Sequence, residues 1–259
     1  MARSRNGRPV SSRSWDGVAT WYAGWVGKHG SNYHRQVFIP TALDLLSPGM
    51  GERILDIGCG SGVLAPHVAA AGAHYTGIDK SSRLVGIARR NHGRSGRFHV
   101  CDAACLATAP EIAGGIYDAA MFMMSIQDIA PLDAALRSVG EALRPNGRIV
   151  MIMMHPCFRV PRQSGWGYDA QRRLQFRRID RYLSPLEVPM KEHGGGLKAT
   201  VSFHRPLEAY VNGLREQRFS VDALREIAVE DAGLSQPGKA ERAAFREIPM
   251  FLALRATRR

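Results

Sequence analysis

The chain has 259 residues, room for one large domain carrying an insertion. A hydrophobic content of 45% excludes a disordered chain. No apolar run approaches the roughly 20 residues of a membrane helix, which excludes a helical membrane protein. A formal charge of +12 keeps a nucleic-acid partner in view, although the arginines are dispersed in a way that suits a solvated surface.

Residues 1–14 hold Arg3, Arg5, Arg8 and Arg13, with no apolar segment behind them. They read as a disordered basic arm rather than a secretory signal. Cys59, Cys101, Cys105 and Cys157 form neither CxxC pairs nor a His/Cys cluster at zinc spacing, so the expectation is a cytoplasmic protein with reduced thiols and no metal. Residues 15 to 46 have a helical period through Trp15, Val18, Trp21, Tyr22 and Trp25. From Arg53 onward strands and helices alternate: strand Arg53 to Ile57, helix Ser61 to Ala71, strand His74 to Ile78, helix Ser81 to Asn91, strand Arg97 to Val100. Strand Tyr117 to Met124, helix Pro131 to Leu143, a turn at Asn146-Gly147 and strand Arg148 to Met154 follow. That succession predicts an α/β fold with a mostly parallel, Rossmann-like sheet and helices on both faces. The pattern breaks after His155, where prolines and Gly194-Gly195-Gly196 punctuate a long stretch. Residues 156–198 are expected to form an insertion capping the ligand edge of the sheet. A strand Thr200 to Phe203, a helix Pro206 to Gln217 and a final strand Met250 to Ala256 complete the pattern, while Val221 to Val229 stays unassigned.

The strongest chemical signal is Ile54-Leu55-Asp56-Ile57-Gly58-Cys59-Gly60-Ser61-Gly62. A buried strand ends in glycines, which turn sharply and let a ligand approach the backbone, and a helix N-terminus is expected to offer free N–H groups. The spacing is G-x-G-x-G, not the G-x-G-x-x-G of dinucleotide sites. Asp79, at the next strand end, suits either a ribose diol or a helix N-cap. The glycine segment resembles motif I of class I S-adenosylmethionine-dependent methyltransferases of the bacterial small-molecule type. Cys101-Asp102-Ala103-Ala104, Tyr117-Asp118-Ala119-Ala120 and Leu143-Arg144-Pro145-Asn146-Gly147 resemble later motifs of that superfamily, in the same order. So does Trp15-Asp16-Gly17-Val18-Ala19-Thr20-Trp21-Tyr22, an N-terminal helix in its members. The resemblance implies a seven-stranded sheet over residues 15–259 and S-adenosylmethionine as cofactor. It also implies cofactor contacts from Tyr22, Asp56, Gly58, Cys59, Gly60, Asp79, Lys80, Asp102, Ala103, Met123 and Met124. Tyr22 suits core packing equally well.

The expected reaction is in-line methyl transfer to oxygen, nitrogen or carbon of a small molecule. Where the acceptor loses a proton, His155 at the fifth strand end is the first base to consider, followed by His204, Tyr33 and His34. Trp166, Tyr168, Phe176 and Tyr182 offer an aromatic acceptor pocket. A nucleic-acid methyltransferase is the alternative, suggested mainly by the charge and the cluster Arg172, Arg173, Arg177, Arg178 and Arg181. Pro156-Cys157 resembles the Pro-Cys of cytosine C5 enzymes, but it follows the fifth strand, as in RNA-acting relatives, not the fourth. A non-catalytic cofactor-binding module is a third reading.

Overall fold

Strands apolar on both faces can be buried only in the middle of a layered sheet, and the five central strands here are of that kind. The computed structural model describes residues 15–112, 114–190, 200–229 and 236–259. The expected basic arm, residues 1–14, lies outside them, as do residues 191–198 of the expected insertion. Among the described residues no helix is long and apolar enough to cross a membrane.

Two helices come first, α1 (Ala19–Val26) and α2 (Ile39–Leu46), the latter preceded by a π-helical turn over His34–Phe38. The continuous helical period is broken where Gly27 and Gly30 take left-handed φ values of 72° and 88°, which a right-handed helix excludes. The expected α1 face also divides: Val18 is buried, while Trp21 and Trp25 are exposed and stack 6.3 Å apart.

The alternating region gives β1 (Arg53–Ile57), α3 (Ala65–Ala70), β2 (His74–Asp79), α4 (Ser82–His92), β3 (Arg97–Val100) and β4 (Tyr117–Met123). Next come α5 (Leu132–Ala142) and β5 (Leu143–Met154). Helix α3 starts four residues later than the sequence suggests. Gly58, Gly60 and Gly62 all have positive φ, and Pro66 in the first turn sets the start. In β5 the pairing jumps from Tyr117–Leu143 to Ala119–Arg148, so the expected Asn146-Gly147 turn is a bulge inside the strand.

The described residues after His155 are folded. A hairpin of β6 (Ser164–Asp169) and β7 (Leu174–Ile179) comes first. Then β8 (Leu186–Pro189) pairs antiparallel with β9 (Val201–His204). Helix α6 (Leu207–Glu216), strand β10 (Phe219–Ile227), helix α7 (Lys239–Glu247) and strand β11 (Phe251–Arg258) finish the chain. The unassigned segment near Val221 is thus an edge strand, and α7 has no counterpart among the sequence-based expectations. Its Lys239, Arg242 and Arg246 are exposed, while Ala244 and Phe245 are buried.

The sheet order is β10-β11-β5-β4-β1-β2-β3. Strands β1 to β5 pair in parallel and β11 runs antiparallel to β5 and β10. Strands β2 and β4 leave β1 on opposite sides, which opens a crevice at the carboxyl ends of β1 and β4.

At the opposite edge Arg148 ties three elements together. Its guanidinium donates to both carboxylate oxygens of Glu52, at 3.0 and 2.6 Å, and its Nε donates to the Leu46 carbonyl at 2.6 Å. That carbonyl is one of those left unpaired at the end of α2. Arg148→Ala is expected to lower the unfolding free energy by about 2–3 kcal/mol in urea titration. Arg148→Lys should recover less than half of that loss, because an ammonium cannot span both oxygens and the carbonyl.

Candidate active site

The crevice is built on the glycine loop after β1. Gly58 has φ 68°, and a Cβ there would stand 2.6 Å from the Ser125 Cβ. Ser125 in turn donates to the Ile57 carbonyl at 2.5 Å, so β1 and the turn after β4 are in direct contact. Gly60 has φ 55° and lies beneath Tyr22, whose ring would be 3.3 Å from an added Cβ. Cys59 N–H donates to the Ile78 carbonyl at 2.9 Å, pinning the loop to β2. Helix α3 begins only at Ala65, three residues past Gly62, so the glycine loop stands between β1 and the helix.

Asp79 organises this loop. Its Oδ2 accepts the Gly60 N–H at 3.0 Å and its Oδ1 accepts the Ser81 N–H at 2.8 Å. Burial raises its pKa and the two N–H donors oppose that. The helix-cap role weighed for Asp79 belongs to Ser81, whose Oγ accepts the Leu84 N–H. Asp16 reaches the same corner, accepting from the Ser81 hydroxyl at 2.5 Å and the Arg83 N–H at 3.1 Å, and so docks the N-terminal segment onto α4.

A cavity against the loop is lined by Tyr22, His34, Asp56, Gly58, Cys59, Ser61, Val63 and Met123. Asp56 accepts the Tyr75 hydroxyl on Oδ2 at 2.6 Å, whereas its Oδ1 and the Ser61 Oγ are buried with no hydrogen-bond partner among the described residues. Buried polar atoms are rarely left so, and two on one cavity wall mark a place for a polar ligand. Asp102 caps the turn at Ala103–Thr108 by accepting the Ala104 N–H at 3.0 Å. Lys80 donates to Asp102 at 2.7 Å with its side chain 80% exposed, so it braces Asp102 from outside the cavity. Met123 borders the cavity, and Met124, with φ 59°, turns the chain out of β4.

The four expected bases are placed very differently. The His155 Nδ1 accepts the Cys157 N–H at 3.2 Å, which leaves Nε2 to donate to Glu226 at 3.1 Å. Both ring nitrogens are engaged, and the ring holds the strand-end turn against β10. The His204 ring nitrogen Nε2 donates to the Tyr182 carbonyl at 2.6 Å, and the Tyr182 hydroxyl accepts the Leu207 N–H at 2.9 Å. That residue likewise ties the insertion to α6. Tyr33 packs among Phe38 and Phe251, with ring centroids 6.1 and 5.7 Å away. His34 alone of the four lines the cavity. Its Nδ1 lies 2.8 Å from the Ser31 hydroxyl, and burial pulls its pKa down to about 4, so it is neutral at physiological pH.

The expected aromatic pocket does not assemble. Trp166 packs edge-on against Phe245 of α7 at 5.0 Å, Tyr168 and Phe176 are exposed, and Tyr182 sits by Cys157, with Cys157 Sγ 3.5 Å from its hydroxyl. Asp128 is a further acid that the sequence reading passed over. It lies in the turn Ile126–Asp128 just after β4, close to Ser202, Arg205, Asp79 and Tyr22. Burial pushes its pKa up to about 7 against the lowering effect of Ser202 and Arg205. Its position just past a strand end was the available signal; without its surroundings it reads as an ordinary turn acid.

A family model described as a methyltransferase domain matches residues 31–234. A ubiquinone biosynthesis O-methyltransferase from Aromatoleum aromaticum is 33% identical over 116 residues, 42% of this chain and 47% of that protein. One from Xylella fastidiosa is 32% identical over 139 residues, 52% of this chain and 56% of that protein. The chain thus spans about half the length of the curated relatives it matches. An S-adenosylmethionine-dependent methyltransferase from Mesorhizobium loti aligns with a TM-score of 0.67 and 27% identity, over 85% of this chain and 96% of that one. A structure from Listeria monocytogenes aligns with a TM-score of 0.66 over 88% of this chain and 97% of that one, at 22% identity, a likeness of fold.

The buried acids predict a pH signature. Burial raises the Asp56 carboxyl to about 7 from an ordinary 3.8. Between those values the folded state keeps a proton that the unfolded state has released, so the contribution of Asp56 to stability falls as pH rises through the window. Asp56→Asn keeps an acceptor for Tyr75 and removes the titration. Relative to wild type, it should gain stability between about pH 4 and about pH 7, by at least the roughly 1.4 kcal/mol of one pKa unit, in urea titrations across that range. A constant difference between the two proteins would show that Asp56 ionises normally in the fold.

Proposed function

This chain belongs to the methyltransferase-domain family, and from that premise we propose that it transfers the methyl group of S-adenosylmethionine to a small-molecule acceptor. The observation that carries the reading is the glycine cradle with two unpartnered polar atoms, Asp56 Oδ1 and Ser61 Oγ, on its wall. An α-amino acid end needs an acceptor for its ammonium and a donor for its carboxylate, and this carboxylate and hydroxyl supply them. Each Asp79 oxygen holds one backbone N–H and retains a lone pair for a ribose hydroxyl. Asp102, braced by Lys80, is the carboxylate for an adenine amine, with the Ala103 backbone beside it. Gly58, Cys59 and Gly60 would give backbone contact, Met123 on the cavity wall and Met124 after it would border the bound cofactor, and Tyr22 covers Gly60. These residues suit S-adenosylmethionine better than a dinucleotide, whose pyrophosphate loop has the spacing G-x-G-x-x-G and not the G-x-G-x-G of Gly58, Gly60 and Gly62.

When bound, S-adenosylmethionine supplies a methyl group on a sulfonium, already a strong electrophile. The protein's work is then to align an acceptor lone pair, exclude water and, for a hydroxyl acceptor, take a proton. The O-methyltransferases among the relatives favour oxygen as the receiving atom. For the proton, Asp128 is better matched than His34, since a base with a pKa of about 7 works near neutral pH and one of about 4 is nearly always too weak. Ser202 of β9 and Arg205 behind it reach the β4 turn, where Arg205 donates to the Ile126 and Ile129 carbonyls, which supports an acceptor side closed by elements that follow β5.

Titration calorimetry tests the cofactor. Wild type is expected to bind S-adenosylhomocysteine in the micromolar range and NAD far more weakly. Asp79→Ala should lose about 1.5–3 kcal/mol of that affinity, since both the ribose contact and the loop anchor go. Tight NAD binding, or an Asp79→Ala protein with unchanged affinity, would count against the reading.

The base is tested on a turnover assay. Asp128→Asn should lower kcat by about 10²-fold or more and abolish the acidic limb of the pH–rate profile, with cofactor affinity retained. His155→Ala, by contrast, should act through stability and leave that limb in place.

A further inference from the structure

Arg159 follows β5 at the ligand edge, and its guanidinium lies 4.9 Å from the centre of the Phe251 ring. Phe251 opens β11 directly opposite Met154, the last residue of β5. The Tyr33 ring meets the same Phe251, and its neighbour His34 lines the cavity beside the glycine loop. From the hairpin, Arg177 reaches towards this place. It donates to the Phe158 carbonyl at 2.7 Å and to Ser164 Oγ at 2.8 Å, and lies 5.1 Å over Trp166. Two cations thus stand near one another, each over an aromatic ring, and Arg159 has no hydrogen-bond acceptor or carboxylate among the described residues.

A half-buried guanidinium with five donors and no acceptor is costly, and proteins rarely keep one without a use. Burial lowers the pKa of both arginines, and the charge of Arg159 lowers that of Arg177 further. Only the Tyr33 phenol acts in the opposite sense on Arg159. Among the described residues neither guanidinium has a carboxylate partner. Arg159 is bordered by an aromatic wall, the rings of Phe251 and Tyr33, and Tyr33 adjoins His34, which lines the crevice cavity.

We propose that Arg159 binds the carboxylate of an aromatic acid, the methyl acceptor of this site, with Arg177 adding positive potential. The proposal rests on the acceptor reading given above. A guanidinium fork pairs both carboxylate oxygens in one plane, and an aryl ring attached to that carboxylate would lie along the aromatic wall. Arg159 would be a residue that selects and orients the acceptor, and the methyl-receiving atom would be elsewhere on the ring.

The test uses the full chain, with benzoate and its neutral isostere benzamide as probes, titrated by calorimetry with and without saturating S-adenosylhomocysteine. Wild type is expected to prefer benzoate over benzamide by about tenfold or more, and Arg159→Gln to erase the preference while S-adenosylhomocysteine affinity is unchanged. Equal affinity for the two probes in wild type, or a preference that survives Arg159→Gln, overturns the proposal. Loss of S-adenosylhomocysteine binding in wild type would count against the cofactor reading instead, and the benzoate preference measured without it still decides this one. A second variant guards against a folding artefact. Arg159→Met removes an unpaired cation and keeps the stem, so the melting temperature should stay level or rise. A clear fall would assign Arg159 a structural role and overturn the proposal.

Discussion

Asp79 accepts the N–H groups of Gly60 and Ser81 on its two oxygens, and the geometry of the ligand edge hangs on that double acceptance. Without it the loop after β1 would be held to β2 by the Cys59–Ile78 backbone hydrogen bond alone, with its Gly60 end unanchored. The Ser81 cap on α4 and the Asp16 contact to Ser81 would lose their common corner. The burial that raises its pKa also strengthens the hydrogen bonds it makes, because no water competes for those N–H groups. The glycines make the arrangement possible, since at Gly58 a side chain would run into Ser125.

The edge divides into two chemical halves. Around β1 and β2 the polar groups are acids and backbone donors held in short hydrogen bonds, a setting for a polar cofactor of fixed shape. Around β5 and β11 the setting is aromatic and cationic, with Phe251, Tyr33 and Trp166 beside Arg159 and Arg177. Between them stands the turn after β4. There Asp128 is surrounded by groups from the N-terminal segment, β2, and the region of β9 and α6.

Polar side chains at this edge have two kinds of use, and distance from the cavity does not separate them. His155 and His204 are buried beside strands that end at the crevice, yet their hydrogen bonds brace turns and neighbouring segments. Asp56 and Ser61 keep unpartnered oxygens on the cavity wall. An engaged ring nitrogen and an idle oxygen have opposite consequences: the first is already spent on the fold, the second remains open to a ligand.

The sequence by itself determined the sheet's central strands, the glycine loop and the acids at the ends of β1, β2 and β3. Their signals are local: two-sided apolar runs, positive-φ residues and strand-end carboxylates lie within a few residues of one another. It misplaced the start of α3 because three left-handed glycines delay a helix that their spacing alone does not forbid. It passed over α7, and it read the insertion as a cap without its hairpins. Only the tertiary structure decided which histidine is engaged and which acid is buried. The partner of His155 is Glu226, 71 residues further on, and that of Ser202 is the Gln127 carbonyl, 75 residues back. Arg159 likewise looks like one dispersed arginine among many until Phe251, 92 positions later in the numbering, is folded beneath it. Desolvation and hydrogen-bond engagement are properties of the packed neighbourhood, and no window of sequence contains that neighbourhood.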